Sequence, residues 1–324
     1  TLILPNGGEV WLGTQTIHWE TTGLGWQAND SVKLEYSSDG GTIWLPIPGG
    51  EAVPRENGAF AWDTLAAVPN SGALFRVRVT CNQEPAVADS SDGYFTLHNT
   101  PLNYYVNDSS TVDDVYCSAP GNDANDGLTP STPKATLRAI LETYDLEPGD
   151  GVYVDTGYYL LGATVTMGET DGGNESGRVR IVGSPHPKGS VLDRNSMGSV
   201  LLALQTPYVS LEYLSFTRAS RGVELNSAAT DCRIVSCRFF ANNTGIYAYS
   251  SPRLEARNCL IYQNTNRGID CNSADYSRFI NNTLYMNKNC GIYLYNRSYR
   301  LIENTIIVRL GEEKAEIQVR QGSS

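Results

Sequence analysis

Long apolar runs are missing from this 324-residue sequence, and so is any stretch that would cross a bilayer as a helix. Basic residues are the minority: 24 Lys and Arg against 35 Asp and Glu give a formal charge of −11, with a pI near 4.8. That balance argues against a nucleic-acid backbone as partner and suits solubility outside a cell, or a calcium ion, better than a polyanion. Histidine is scarce, with only His18, His98 and His186. The seven cysteines, Cys81, Cys117, Cys232, Cys237, Cys259, Cys271 and Cys290, contain no C-x-x-C pair, which argues against zinc. Buried thiols are expected for most of them, although Cys237 and Cys259 fall close enough on adjacent repeats for a disulfide to stay open. No signal peptide opens the chain, and the strand-like Thr1–Leu4 is expected to follow processing or trimming.

Helical periodicity is also nearly absent, and a different period takes its place. Gly222, Gly245, Gly268 and Gly291 stand 23 residues apart, each followed by Val or Ile. Asn243, Asn266 and Asn289 keep the same step, as do Asn258, Asn281 and Asn304. Short β-rich runs such as Ile246–Tyr249 and Asn258–Tyr262 lie between polar turns, which excludes helical repeats. A strand-only coil with this period is a right-handed parallel β-helix, its turns about 4.8 Å apart. Asparagine tolerates the left-handed backbone region, and its amides bond along a column, so both columns have a structural reading.

The expected architecture is all-β. An N-terminal sandwich over residues 1–99 is followed by a linker and capping helix over 100–150 and a right-handed parallel β-helix over 151–324. In the first segment, turn signals such as Asp39-Gly40-Gly41, Asn57-Gly58 and Pro69-Asn70-Ser71-Gly72 separate alternating strands such as Val32–Tyr36 and Leu74–Val79. Trp19 and Trp44 are expected in the sandwich core, with sugar contact by His18 and the tryptophans as the alternative. In the second segment, Thr132-Pro133 reads as an N-cap and first-turn proline. Ala135, Leu137, Ile140, Leu141 and Tyr144 then make the apolar stripe of a three-turn helix covering the open end of the coil. The glycine-rich acidic insert Glu169–Glu175 reads as a bulging loop with binding potential. The closing run Ala315–Arg320 reads as the first strand of another turn without a cap, so the chain is expected to continue there or to stack on a partner.

Two resemblances extend this reading. Pro5-Asn6-Gly7-Gly8-Glu9 with Trp11, Ile17-His18-Trp19, Ser37–Gly41 with Trp44, and Ser91–Thr96 resemble the immunoglobulin-like module that opens many secreted bacterial proteins. They are also similar to the N-terminal domain of fungal Ser/Thr-rich wall proteins; both resemblances imply a spacer or weak wall binder. The run from Tyr104-Tyr105-Val106 through Gly121–Gly127, Pro130–Pro133, Pro148-Gly149-Asp150 and Val152–Val154 to Ile181–Ser184 and Val191–Asp193 resembles the entry of the pectate-lyase-like β-helix superfamily. That resemblance implies an extracellular or cell-surface protein acting on a polysaccharide. Members that cleave acidic polysaccharides use calcium held by clustered acids, with an Arg or Lys as base.

The outward residues of the repeat's first strand form two rows, Glu224, Tyr247, Asp270, Tyr293 and Asn226, Tyr249, Asn272, Tyr295. Tyrosine stacks on sugar rings while carboxylates and amides take hydroxyls, so these eight residues are the candidate substrate-binding set. A well-made sheet face, or one buried by a neighbouring subunit, accounts for the same pattern. Catalytic residues are not identified. Glu224 and Asp270 lie about 9.6 Å apart along the axis, too far to share one calcium. Arg218, Arg221, Arg267 and Lys288 are candidate bases or carboxylate clamps, and the three histidines offer no Gly-His-Gly setting. Asp193-Arg194 is the nearest local acid–base pair. The functional expectation is therefore a cell-wall or other glycan bound, and as a further step cleaved by a lyase or hydrolase. The alternative is a structural, adhesive protein that self-associates through the uncapped coil end.

Overall fold

The computed structural model describes residues 1–22, 25–68, 72–296, 300–308 and 316–320. The chain divides into two compact units, Thr1–Leu102 and Asn103–Ser324. In the first, a three-stranded antiparallel sheet contributes Leu2, Ile17, Trp19 and Trp62 to one core. A seven-stranded sheet contributes Val32, Leu34, Phe75, Val77, Val79, Phe95 and Leu97 to the same core. The alternation of buried and outward residues along Gly72–Cys81 is that of a strand with one wet face. Trp19 is buried as expected, but Trp44 is not in this core. The Arg78 guanidinium covers its ring at 4.4 Å and is itself held by Glu35, so a cation–π contact satisfies Trp44 at the surface. The turn expected at Pro69–Gly72 falls mostly outside the described residues.

The second unit is a coil of three strand stacks. Eight parallel strands form the first: Asn103–Val106, Gly151–Val154, Val179–Gly183, Val209–Glu212, Arg233–Val235, Glu255–Arg257, Arg278–Ile280 and Leu301–Glu303. The other two stacks share one twelve-stranded sheet because Ser190–Leu204 and Leu214–Leu225 run through both. The coil therefore begins at Asn103, not near Gly151 as the repeat implied. Asn103–Val106 pairs in register with Gly151–Val154 across an excursion of more than forty residues that the period cannot span.

Inward residues stack on their own counterparts, as in the parallel rings of Phe216 and Phe239 at 4.9 Å. Corners between the first and second stacks fall on Tyr213, Ser236, Asn258, Asn281 and Asn304, with φ between 46° and 56°. A left-handed residue costs about 1–2 kcal/mol unless it is Gly or Asn, so the asparagines of this column ease the turn. The column Asn243, Asn266, Asn289 bonds amide to amide at 3.4 and 3.1 Å. A second ladder lies inside the coil. The Asn264 amide donates to Asn287 Oδ1 and Phe239 O, while its Oδ1 accepts the Asn242 N–H.

The periodic glycines have a packing cause. A Cβ on Gly222, Gly245 or Gly268 would stand 2.7, 2.7 and 2.6 Å from the carbonyl oxygen of the corresponding glycine one turn later. Only hydrogen fits between the turns there.

The helix is shorter than its apolar stripe implied, Leu137–Thr143 with Thr136 as N-cap. Two contacts hold the preceding residues extended: Asp123 Oδ1 accepts the Ala135 and Thr136 N–H groups, and Lys134 bridges Val106. The insert Glu169–Glu175 is anchored at its middle, while Glu169, Thr170, Asn174 and Glu175 are exposed. A Cβ on Gly173 would meet the Gly177 and Tyr208 carbonyls at 2.4 and 2.8 Å, and Asp171 is buried beneath it. None of the seven cysteines is in a disulfide, and burial drives the Cys237 thiol far above its usual range and the Cys259 thiol up to about 12.

Candidate functional site

The third stack carries the candidate face. Its strands Thr244–Tyr249, Arg267–Asn272 and Cys290–Tyr295 follow the end of Leu214–Leu225 in unbroken register, with Ile317–Arg320 beyond. Glu224, Tyr247, Asp270 and Tyr293 stand opposite one another in one row on the outer side of the strands, the first, second and fourth part-exposed and Asp270 buried. Tyr249, Asn272 and Tyr295 form the second row, with Asn226 one residue past the paired segment of its own strand. Val223, Ile246, Ile269 and Ile292 point inward and are fully buried, so from these residues onward period-2 alternation sets which side chains face outward.

Each carboxylate of the first row is engaged by the arginine three residues before it, Glu224 by Arg221 and Asp270 by Arg267. Each guanidinium also lies over the tyrosine of the following turn. Arg221 is 3.8 Å from the Tyr247 ring centre and Arg267 is 3.6 Å from that of Tyr293. The repeating unit is an arginine clamped between its own carboxylate and the next turn's aromatic ring, which fixes all three side chains. Burial pushes the Asp270 carboxyl above its usual range against the pull of Arg267, and it raises the Tyr247 phenol as well. Tyr249 is 50% exposed, and Tyr295 lies parallel to Tyr293 with ring centres 6.4 Å apart. Asn226 Oδ1 accepts the Ala228 N–H, and Asn272 Oδ1 accepts the Ser273 hydroxyl.

The expected pair Asp193-Arg194 does not form. Neighbours on a strand diverge, and Arg194 donates to the Leu161 carbonyl. Asp193, fully buried, instead accepts two bonds from Arg218 Nε at 2.9 and 2.7 Å and one from the Tyr158 hydroxyl. The Arg218 Nη2 also donates to the Tyr158 oxygen at 2.8 Å. Arg218 follows Thr217, which stands opposite Asp193 one turn on, so register rather than chain adjacency chooses the partner. Arg218, Arg221 and Arg267 are thus all engaged by carboxylates, and Lys288 is exposed on a turn. Among the described residues, no group of three or more His, Cys, Asp or Glu side chains is gathered where it could hold a metal ion.

Two features of this unit escape sequence reasoning: the Tyr158–Asp193–Arg218 cluster and an outward aromatic column in which Phe240 and Tyr262 stack at 5.3 Å. The spacing of Arg-Gly-Val-Glu and Arg-Gly-Ile-Asp was the available signal for the clamps, since two consecutive buried residues, Gly222–Val223 and Gly268–Ile269, separate each arginine from its acid.

A family model for the right-handed β-helix region matches residues 148–284 and 199–323, together more than half of the chain. The chain belongs to the right-handed β-helix family. A search of curated proteins finds no match. Among solved structures, the alginate lyase from Paenibacillus sp. str. FPU-7 is similar at 17% identity, over 52% of this chain and 62% of that one, with a TM-score of 0.46. Pectate lyase Pel9A gives 14%, 63%, 63% and 0.45, and the GH136 lacto-N-biosidase from Eubacterium ramulus gives 15%, 60%, 43% and 0.47. The chain spans less than two thirds of each, and likeness at this level carries no argument about activity. No helix among the described residues of this β-helix protein is long and apolar enough to cross a membrane.

Proposed function

We propose that the third face of the coil binds a polysaccharide lying along the coil axis, outside the cell or on its surface. The observation that carries this reading is the pair of outward rows. Clamped carboxylates and amides alternate turn by turn with tyrosines on one continuous sheet, and Tyr249 is half exposed. Fixed polar groups beside flat rings suit a chain of hydroxyl-bearing rings with apolar faces, and they lose little side-chain entropy on binding because the clamps already hold them. In this reading the N-terminal unit is an immunoglobulin-like sandwich acting as spacer or anchor, and Leu137–Thr143 covers the first turn of the coil.

Binding, rather than cleavage, is the role this face supports, since Glu224 and Asp270 are each occupied by an arginine and neither stands ready as nucleophile or base. The alternative, assembly through the end of the coil, concerns the strand Ile317–Arg320, which among the described residues stands last in its sheet with Ile317 and Val319 exposed.

The test is affinity electrophoresis and calorimetry against neutral and uronic-acid polysaccharides, with and without calcium, alongside assays for unsaturated products and new reducing ends. Retardation by at least one polysaccharide, weakened about tenfold in Tyr249→Ala and Tyr295→Ala, is expected from the loss of one ring contact each. Unchanged affinity in both variants would place binding elsewhere, and failure of every polysaccharide to bind would end the reading.

A further inference from the structure

The candidate face does not repeat every turn; it repeats every second turn. Four successive strand segments read Arg-Gly-Val-Glu-Leu-Asn (221–226), Thr-Gly-Ile-Tyr-Ala-Tyr (244–249), Arg-Gly-Ile-Asp-Cys-Asn (267–272) and Cys-Gly-Ile-Tyr-Leu-Tyr (290–295). The inward positions keep the period of one turn, because the core needs an aliphatic residue on every turn. The outward positions alternate between an arginine–acid–amide set and a two-tyrosine set, and the same arginine-over-tyrosine clamp occurs in both halves at 3.8 and 3.6 Å. The pattern stops at the turn before, where Val200 and Ala203 stand opposite Arg221 and Glu224. Core packing requires no such doubling, so it belongs to the surface. The face is two copies of one module, displaced by two turns, about 9.6 Å.

A bound polymer exploits both copies only if its own repeat matches that displacement. An extended peptide repeats every two residues at about 6.8 Å and falls out of step. With bonds of about 1.5 Å, the span between successive glycosidic oxygens across a diequatorially 1,4-linked pyranose is roughly 5 Å, one turn of the coil. Such a chain is a flat ribbon in which alternate rings are flipped, so it repeats every two sugars, at about the two-turn displacement. Axially linked chains kink and advance less per ring. Each module also carries one cation and one anion, paired with each other, on a protein of net charge −11, which does not favour a polyanion. We infer that the face between Arg221 and Tyr295 is a two-module site for a neutral, diequatorially 1,4-linked glycan ribbon, two sugars per module, with alternate rings meeting the acid/Asn and the Tyr/Tyr turns. This inference rests on the glycan reading above and names the class of glycan.

The experiment is a calorimetric titration of the full chain with β-1,4-linked glucose and mannose oligomers of two to eight sugars. A β-1,3-linked glucose series and polygalacturonate serve as the contrasting ligands. Affinity is expected to rise at least tenfold from dimer to tetramer, with the trimer within about threefold of the dimer, and to level off beyond four sugars because the face between Arg221 and Tyr295 holds two modules. Tyr249→Ala and Tyr295→Ala should each weaken the tetramer about tenfold and leave the dimer within about threefold, since the other module still takes it. A smooth rise with every added sugar, equal binding of the β-1,3 series, or binding of polygalacturonate in preference to the neutral ladder would overturn the two-module assignment while leaving a glycan site in place. Binding of none of these ligands would overturn it together with the glycan reading.

Discussion

Gly245→Ala tests whether the 23-residue glycine period reflects close approach between turns. Glycine to alanine at a position of ordinary φ normally stabilises by about 0.4–1 kcal/mol, because the unfolded chain loses freedom. At Gly245 the new Cβ would lie 2.7 Å from Gly268 O, 3.1 Å from Phe239 Cβ and 3.2 Å from Ile261 Cγ2. Two of these atoms are backbone or backbone-adjacent, so the turns themselves must part by about half an ångström, which lengthens neighbouring ladder hydrogen bonds beyond their usual 2.9–3.0 Å. Overpacking of this kind costs about 1–3 kcal/mol, and the weakened ladder places the expected loss near the upper end. Gly198→Ala is the control, since nothing lies within 4 Å of its added Cβ and its φ is ordinary. The assay is urea unfolding. All five tryptophans, at 11, 19, 26, 44 and 62, lie in the first unit, so fluorescence reports that unit while far-UV circular dichroism reports both. With m near 2–3 kcal/mol/M, Gly245→Ala should lower the coil's midpoint by about 1 M with the tryptophan transition unmoved, and Gly198→Ala should leave it level or raise it slightly. Equal midpoints for Gly245→Ala and the parent, or an equal fall in Gly198→Ala, would refute the close-approach argument.

Asn264→Ala strands the buried Asn242 N–H and takes the amide donor from the Phe239 carbonyl and from Asn287 Oδ1, which keeps the backbone N–H of residue 264 at 3.2 Å, and is expected to cost about 2–3 kcal/mol, with hydrogen exchange accelerated on the adjoining turns. Asp171 is buried with one oxygen on the Gly168 N–H and the other unpartnered, and burial raises its carboxyl above the usual range. A raised folded value means that its contribution is fully present below the unfolded value of about 3.9 and is lost as pH rises through the folded one. Asp171→Asn should therefore flatten the decline of stability just above pH 4, and superimposable pH profiles would show that the carboxyl titrates normally. Arg267→Met leaves the Asp270 carboxylate without its cation. The expected loss is about 2–3 kcal/mol at pH 7 and clearly less at pH 4, where the carboxyl takes a proton, as read from urea midpoints at the two pH values.

The period of the glycines, the inward aliphatic column and the left-handed asparagines at 258, 281 and 304 are properties of one turn repeated. Sequence determines them because each turn meets a copy of itself at a fixed offset. The same alternation names the outward rows at Glu224–Tyr293 and Asn226–Tyr295, and even their doubling is written in the hexads. What only the tertiary structure decided are contacts without a period. Asn103–Val106 is joined to the coil across the excursion that holds the helix, the helix starts at Leu137 because Asp123 and Val106 hold the residues before it, and Asp171 is turned inward under its insert. Partner choice belongs here as well. Asp193 takes Arg218 and Tyr158 rather than Arg194, Trp44 takes Arg78 rather than the core, and Glu224 and Asp270 take the arginines that would otherwise face a ligand. Hydrophobic periodicity is additive along the chain and can be read residue by residue. The choice among nearby charges depends on distances of a few ångströms that exist only once the turns have stacked.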